Sequence, residues 1–427
     1  MKKQYIKTQI AMRQAEFPTL LKKRECQLPI DVDKIITIPG VRRCGKTSRM
    51  EGVVNELLNS GVSRERILWV SFDDERFVNM IPDEFDLIIE AYREMYPHID
   101  MQSVYIFFDE IQLINNWEYF VMRLFKNYSK HIYISGSNAT MLSSELKSAL
   151  RGWPDEQETL PLSFKEYCVF NEINTESWLE ADMAKLRNAF AAFNNEGGFP
   201  EVVLTNNPLQ KTKVLQTYFD TMLLKDLVEH YKLKNIEALR YFLKRIMANL
   251  TKPTSIRAIF GDIKSQNLKV GKNDLYEWAG YACNIFLFIR VPNFNKSLKK
   301  IESSLPKYYC IDNGLYSSVL LPQSDDDGKK LENTVFLHLY RHKTPIQQIF
   351  YYQGKAECDF LIQSGVSIEQ LIQVTWRMDN EETRKREIRG LVEAAELTGC
   401  KNLCIITADT QEVITLDNGL EIKVIPA

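Results

Sequence analysis

Along the first third of the chain, short apolar runs rich in β-branched and aromatic residues alternate with longer stretches of helical periodicity. The runs Lys34–Ile38, Ile67–Phe72, Val104–Phe108 and His131–Ser135 are short and apolar rather than alternating, the pattern of strands buried on both faces. Helical patterns fill the gaps between them, so the alternation predicts a parallel α/β sheet.

From about Phe164 to Leu250 the pattern is helical. Ile236, Leu239, Phe242, Leu243, Ile246, Met247 and Leu250 recur at helical spacing and predict one core-facing stripe. Ser255 is placed to cap a helix carrying Ile256, Ile259, Phe260 and Ile263. A second helix starts near Asn273, and the apolar run Ile285–Val291 reads as a strand. Helix, turn, helix and strand are the outline of a winged helix. From about Lys307 the pattern is α/β again. A helix carries Glu332, Phe336 and Leu339, and strands follow at Gln348–Tyr352, Asp359–Ile362, Leu371–Trp376 and Leu403–Thr407. A helix over roughly Glu382–Leu397 separates the last two strands. No internal repeat stands out, which disfavours a solenoid.

Composition narrows the class. The 427 residues, 45% hydrophobic and 26% charged, are ordinary for a soluble globular protein and exclude a disordered or collagen-like chain. The longest apolar stretch, around Ala279–Val291, carries Tyr, Cys and Asn and is too short to span a bilayer. The basic N-terminus has no apolar core behind it and does not read as a signal peptide. No membrane association and a cytoplasmic location are therefore expected. The eight cysteines are scattered with no C-x-x-C pair, which points to reduced thiols rather than a zinc site. The net charge of −2 hides an uneven distribution. Residues 71–120 hold twelve acids and two bases, and residues 251–300 hold nine bases and three acids. Near-neutrality of the whole chain therefore does not exclude a local nucleic-acid surface.

Three local motifs carry chemistry. Gly40-Val41-Arg42-Arg43-Cys44-Gly45-Lys46-Thr47 matches G-x-x-x-x-G-K-[ST] between a predicted strand and a helix that runs on through Ser48. Such a loop curls its N–H groups around phosphate oxygens at a helix N-terminus. Lys46 would reach the β- and γ-phosphates of ATP, and the Thr47 hydroxyl would join an Mg2+ shell. In Tyr105–Glu110 an apolar strand ends in two acids. Asp109 is placed to hold Mg2+ through water, and Glu110 to polarise the attacking water as the catalytic residue. In Ile132–Asn138 a strand ends in small polar groups. Ser137 or Asn138 is placed to sense the γ-phosphate or the water; the same residues also suit an ordinary turn.

These stretches, with FFDEIQLINNWEYFVMRLF (Asp109, Glu110, Gln112 and Trp117), ISGSNATMLSSEL and LPLSFKEY at Leu160–Tyr167, resemble the archaeal-type ATPases of the AAA+/STAND sort. Glu196-Gly197-Gly198-Phe199-Pro200 and Tyr218–Asp226 also fit the helical lid of that family. The resemblance covers nearly the whole chain. It implies an AAA+/ASCE-type P-loop NTPase core over 1–165 and a helical lid over 166–235. A winged-helix-like segment over 236–305 and a restriction-endonuclease-like α/β domain over 306–427 would follow. Relatives place Gly-Arg just before the Pro-Leu-Ser-Phe stretch, whereas here Gly152-Trp153 follows Arg151. Any arginine contact to phosphate then either moves to Arg151 or is lost; Arg42 and Arg43 in the loop are other sources of positive charge, and equally suit solvated loop positions.

In the nuclease-like pattern that the resemblance implies, the helix acid is Glu332 and the strand acid is Asp359. Gln373 stands where an acid is usual and Thr375 where a lysine belongs. Lys355 and Lys385 are the nearby cations. A metal nuclease needs both the acids and the cation, so this site reads as vestigial. Lys269, Lys272, Lys296, Lys299 and Lys300 make the winged-helix segment basic, but Asn273–Ala282 carries Asp274 and Glu277 and no base. Contact with DNA phosphates by its flanks and a spacer role between proteins both fit. The expected function is an ATP-binding and ATP-hydrolysing switch that governs the C-terminal domains, with a homo-oligomer or a protein partner compatible. Its rivals are a DNA-acting protein with a working nuclease and a non-hydrolysing, nucleotide-gated interaction protein.

Overall fold

The computed structural model describes all residues except 1, 78–79, 139–147, 151, 178 and 321–325. Two compact units are present. The first comprises Met1–Trp178, Phe199–Leu204 and Asn284–Phe286; the second comprises Leu179–Gly198, Thr205–Cys283 and Leu287–Ala427.

In the first unit, β1 (Ile35–Pro39), β2 (Ile67–Ser71), β3 (Tyr105–Asp109), β4 (Ile132–Gly136) and β5 (Pro154–Glu156) form one sheet in the order β2-β3-β4-β1-β5. Every neighbouring pair is parallel. Four of these strands lie within one residue of the runs read from sequence. The short polar β5 (Pro-Asp-Glu) carries no apolar signal.

Alternate strand residues point to opposite faces, so the sheet has two cores. Ile106, Phe108, Ile132 and Ile134 pack with α1 (Lys2–Glu16), α3 (Asp86–Met95) and α4 (Trp117–Asn127). Tyr105, Phe107, Trp69 and Tyr133 pack under α2 (Lys46–Asn59). There, Trp69, Phe107 and Tyr133 stack in a ladder with centroids 5.2 and 4.8 Å apart. These rigid strands end together, and β4 lies between β1 and β3. The loops after β1, β3 and β4 are thereby brought to one edge.

In the second unit, helices Glu180–Glu196 and Pro208–Thr221 are followed by a π-helical stretch, Met222–Glu229. Helix Ile236–Ala248 buries Leu239, Phe242, Leu243, Ile246 and Met247, with Leu250 buried just beyond it. Ile236 departs from the expected stripe: it is 42% exposed, because it opens the helix immediately after left-handed Asn235. Ser255 caps helix Ile256–Ser265, accepting from the Ala258 N–H at 3.2 Å. Helix Lys272–Asn284 then leads toward β6 (Phe288–Val291), which pairs antiparallel with β7 (Lys307–Cys310).

The C-terminal part of this unit is a six-stranded mixed sheet in the order β12-β13-β11-β10-β9-β8. Its strands are β8 (Gln347–Gln353), β9 (Glu357–Ser364), β10 (Ser367–Val374), β11 (Leu403–Thr407), β12 (Glu412–Thr415) and β13 (Glu421–Pro426). Helix Asp326–His342 covers one face through Leu331, Val335 and Phe336. Helix Glu381–Thr398 covers the other through Leu391, Ala394 and Ala395. No helix among the described residues is long and apolar enough to cross a membrane.

Candidate active site

After Pro39 the chain turns through Gly40–Gly45 into α2. A Cβ on Gly40 would lie 2.1 Å from the Thr159 carbonyl oxygen, so only glycine fits there. Gly45 opens α2 in a left-handed conformation, with no side chain capping the helix end. The first-turn N–H groups are thus left for an anion. Lys46 is 4% exposed. Its Nζ donates to the carbonyls of Gly40 at 3.1 Å and Val41 at 3.2 Å, and lies 3.5 Å from Glu110 Oε1.

The acid pair meets the loop directly. Thr47 Oγ1 donates to Asp109 Oδ2 at 2.8 Å, and the Ser135 hydroxyl donates to Asp109 Oδ1. The Glu110 N–H donates to Ser135 Oγ at 3.1 Å. Glu110 takes a left-handed φ of 52°, an uncommon conformation for a non-glycine residue and one that concentrates at functional sites. Gln112 Nε2 donates to Glu110 Oε2 at 2.6 Å and to Ser137 Oγ at 3.2 Å. The three motifs therefore converge on one hydrogen-bonded network. Ser137 and Asn138 are both buried.

Burial raises the Asp109 carboxyl above its usual range, and the neighbouring Glu110 charge adds to this; hydrogen bonds from Ser135 and Thr47 only partly offset it. Burial also works against the Glu110 carboxylate. Lys46, then Gln112, Arg42 and Ser137, outweigh it and hold Glu110 below its usual value. Two carboxylates side by side thus differ in character: one resists ionisation and the other is held ionised.

The remaining loop residues divide by environment. Arg43 has φ 66°, and its exposed guanidinium is 3.3 Å from Glu201. Ser48 is exposed. Cys44 is buried and its Sγ donates to the Thr159 carbonyl at 3.1 Å, so its side chain faces the core. Arg151 and most of ISGSNATMLSSEL lie outside the described residues.

Sequence reasoning missed Arg24 and Arg49. Arg24 donates through Nε to Glu166 Oε1 at 2.7 Å, through Nη1 to the Cys44 carbonyl at 2.9 Å and through Nη2 to the Leu160 carbonyl at 2.9 Å. Arg49 donates to Thr159 Oγ1 at 2.8 Å and to the Gln157 carbonyl at 3.1 Å. Within LPLSFKEY, Ser163 and Glu166 form a capping box on helix Phe164–Phe170. Glu166 is thereby fixed beneath Arg24, which grips the phosphate loop from below.

In the second unit, Gly198 N–H donates to Asp312 Oδ2 at 2.6 Å. A Cβ on Gly197 would lie 2.0 Å from Asp312 Oδ1, which accounts for the glycine pair. Farther along, Glu332 and Asp359 are brought together by a residue the sequence did not nominate. Lys307, fully buried at the start of β7, has Nζ 3.0 Å from Glu332, 3.1 Å from Asp359 and 2.6 Å from Glu357. Tyr309 donates to Glu332 at 2.8 Å. Gln373 accepts from the Asp359 N–H at 3.2 Å and donates to Glu387 at 2.5 Å. The cation beside these acids is therefore Lys307, which the sequence reading did not name, rather than Lys355 or Lys385. Lys385 instead pairs with Glu381 on the surface, and Thr375 donates to the Arg377 carbonyl.

An uncharacterized protein of Methanocaldococcus jannaschii is 33% identical over 406 residues, spanning 92% of this chain and 87% of that protein. The chain belongs to the same family as this archaeal protein. Within it, residues 32–168 match a family described as an AAA domain, and residues 187–326 match a domain of unknown function. The AAA match supports a P-loop ATPase-like fold for the first unit and spans its five-stranded parallel sheet. A second family relative, an uncharacterized Haemophilus influenzae protein, is 28% identical over 311 residues, covering 73% of this chain and 75% of that one. Among solved structures, Aeropyrum pernix ORC1 in complex with DNA aligns over 73% of this chain and 91% of that one, at 11% identity and a TM-score of 0.32. Aquifex aeolicus DnaA bound to AMPPCP aligns over 64% and 84%, at 15% identity and a TM-score of 0.27. Superpositions this loose carry no argument about what this family member binds.

Proposed function

We propose that the first unit binds ATP with Mg2+ and hydrolyses it, and that nucleotide state governs the C-terminal modules. The observation that carries this reading is the junction of Lys46, Thr47, Asp109, Glu110, Gln112 and Ser137 in one hydrogen-bonded network. Lys46 and the first-turn N–H groups of α2 hold the β- and γ-phosphates. Thr47 and Asp109 offer adjacent oxygens, the hard donor set that suits Mg2+, and the ion would neutralise charge developing on the phosphates. Glu110, held ionised, accepts a proton from the attacking water. Ser137 and Asn138, at the end of β4, sense the γ-phosphate.

For the second unit, we read helices Ile236–Ala248, Ile256–Ser265 and Lys272–Asn284 with β6 and β7 as a winged helix. Exposed Lys269, Lys272, Lys296, Lys299 and Lys300 support contact with DNA phosphates along its flanks. The C-terminal sheet is a nuclease-like fold without nuclease activity. Buried Lys307, on the neighbouring β7, is surrounded by the carboxyl groups of Glu332, Glu357 and Asp359 and is closed to solvent.

Phosphate release from ATP by the full chain, with and without DNA, tests the reading. Wild type should turn over, and Glu110→Gln should fall by roughly 10²–10⁴-fold, the range of acid–base catalysis. Equal rates would remove Glu110 from the chemistry.

A further inference from the structure

Gln112 sits two residues beyond the acid pair's end, in the turn Ile111–Leu113 that follows left-handed Glu110. Its amide nitrogen spends both hydrogens within the site, one on Glu110 Oε2 at 2.6 Å and one on Ser137 Oγ at 3.2 Å. Its carbonyl oxygen, Oε1, is buried and accepts from no donor among the described residues. A carboxylate oxygen and a hydroxyl oxygen lie within hydrogen-bonding reach of Nε2 and no described donor reaches Oε1, so the amide is placed with its nitrogen toward Glu110. Buried acceptors without a donor are rare, and each calls for a missing partner.

We propose that Gln112 is a positioning residue of the hydrolytic site, its amide joining Glu110 to Ser137 and its Oε1 accepting a hydrogen from the attacking water. This rests on the reading of the P-loop as an ATP-hydrolysing site. The water then has two acceptors, Glu110 and Gln112 Oε1, which together fix its orientation. Its oxygen bonds to the γ-phosphorus as the bond from that phosphorus to the β,γ-bridging oxygen breaks. The electron pair leaves on ADP, one water proton passes to Glu110, and the other stays on the phosphate formed. Because the same amide holds Ser137, displacement of the serine by the γ-phosphate is felt at Glu110 through a single side chain.

The test uses the full chain, ATP with Mg2+, and separate measurements of binding and turnover. Gln112→Met keeps the length of the side chain and removes donors and acceptor. Its kcat should fall roughly 10- to 100-fold, the worth of hydrogen bonds to charged groups. Mg·ATP affinity should stay within about threefold. A residue that only packs would lose stability without this split between kcat and affinity. Gln112→Glu, which keeps an acceptor but replaces both donors with a like charge, should lower kcat as well, and serves if the methionine variant does not fold. Unchanged kcat beside an active wild type would overturn the role of Gln112 alone. A wild type without turnover would overturn the ATPase reading as well.

Discussion

Replacing Arg24 with alanine separates a scaffold for the phosphate loop from a mere surface strap. The guanidinium makes one charge-assisted bond to Glu166 at 2.7 Å and two bonds to carbonyls at 2.9 Å, one of them on Cys44 inside the loop. The two side chains are only 12% and 5% exposed. Removing one partner of a buried pair costs about 3–5 kcal/mol, because the other charge is left behind. Glu166 retains the N–H groups of Glu25 and Ser163, each at 2.9 Å. The loss therefore belongs at the low end, about 3 kcal/mol. For a unit of this size that corresponds to a fall in Tm of about 6–12 °C. Arg24→Lys keeps the charge and forfeits the fork geometry, so it should lose about half as much. Calorimetric unfolding of the full chain, with Glu166→Gln and the double variant completing a cycle, measures both the cost and the coupling. A loss below about 1 kcal/mol, or zero coupling to Glu166, would refute the reasoning.

Two further outcomes concern the second unit. Burial, then the Asp359 charge, pushes Glu332 up to about 8, and burial pushes Asp312 up to about 6. Each holds a proton in the folded state that the unfolded chain releases near its ordinary carboxyl pKa. Stability of this unit should therefore fall as pH rises from about 5 to about 8; a Tm that is flat or rising over that window would contradict the assignment. The full chain should also not cleave single- or double-stranded DNA with Mg2+ or Mn2+. Cleavage by wild type that vanishes in Asp359→Ala would show that Lys307 leaves the site working.

What was legible in the sequence was what is local. The four buried strands declare themselves because sheets covered on both faces need uninterrupted apolar runs, and each chemical motif sits at the end of one of them. Convergence of Lys46, Asp109, Glu110 and Ser137 follows once β4 lies between β1 and β3. Arg24 and Lys307 were not legible, because their partners lie far away in sequence, 142 residues for Glu166 and 52 for Asp359. Nothing in their neighbours' periodicity marks them. Gln112 was visible as part of a motif, but its role depends on which way one amide faces. The strands β12 and β13 escaped because they are short and bury little; in β13 only Ile422 and Val424 reach the core.

The central claim is that the loop Gly40–Thr47 binds the phosphates of ATP through a fixed cation at Lys46. Its most direct test is calorimetric titration of the full chain with Mg·ATP, wild type beside Lys46→Ala and Glu110→Gln. Saturable binding by wild type and Glu110→Gln, lost in Lys46→Ala, is the predicted result. Equal affinity in wild type and Lys46→Ala would contradict it.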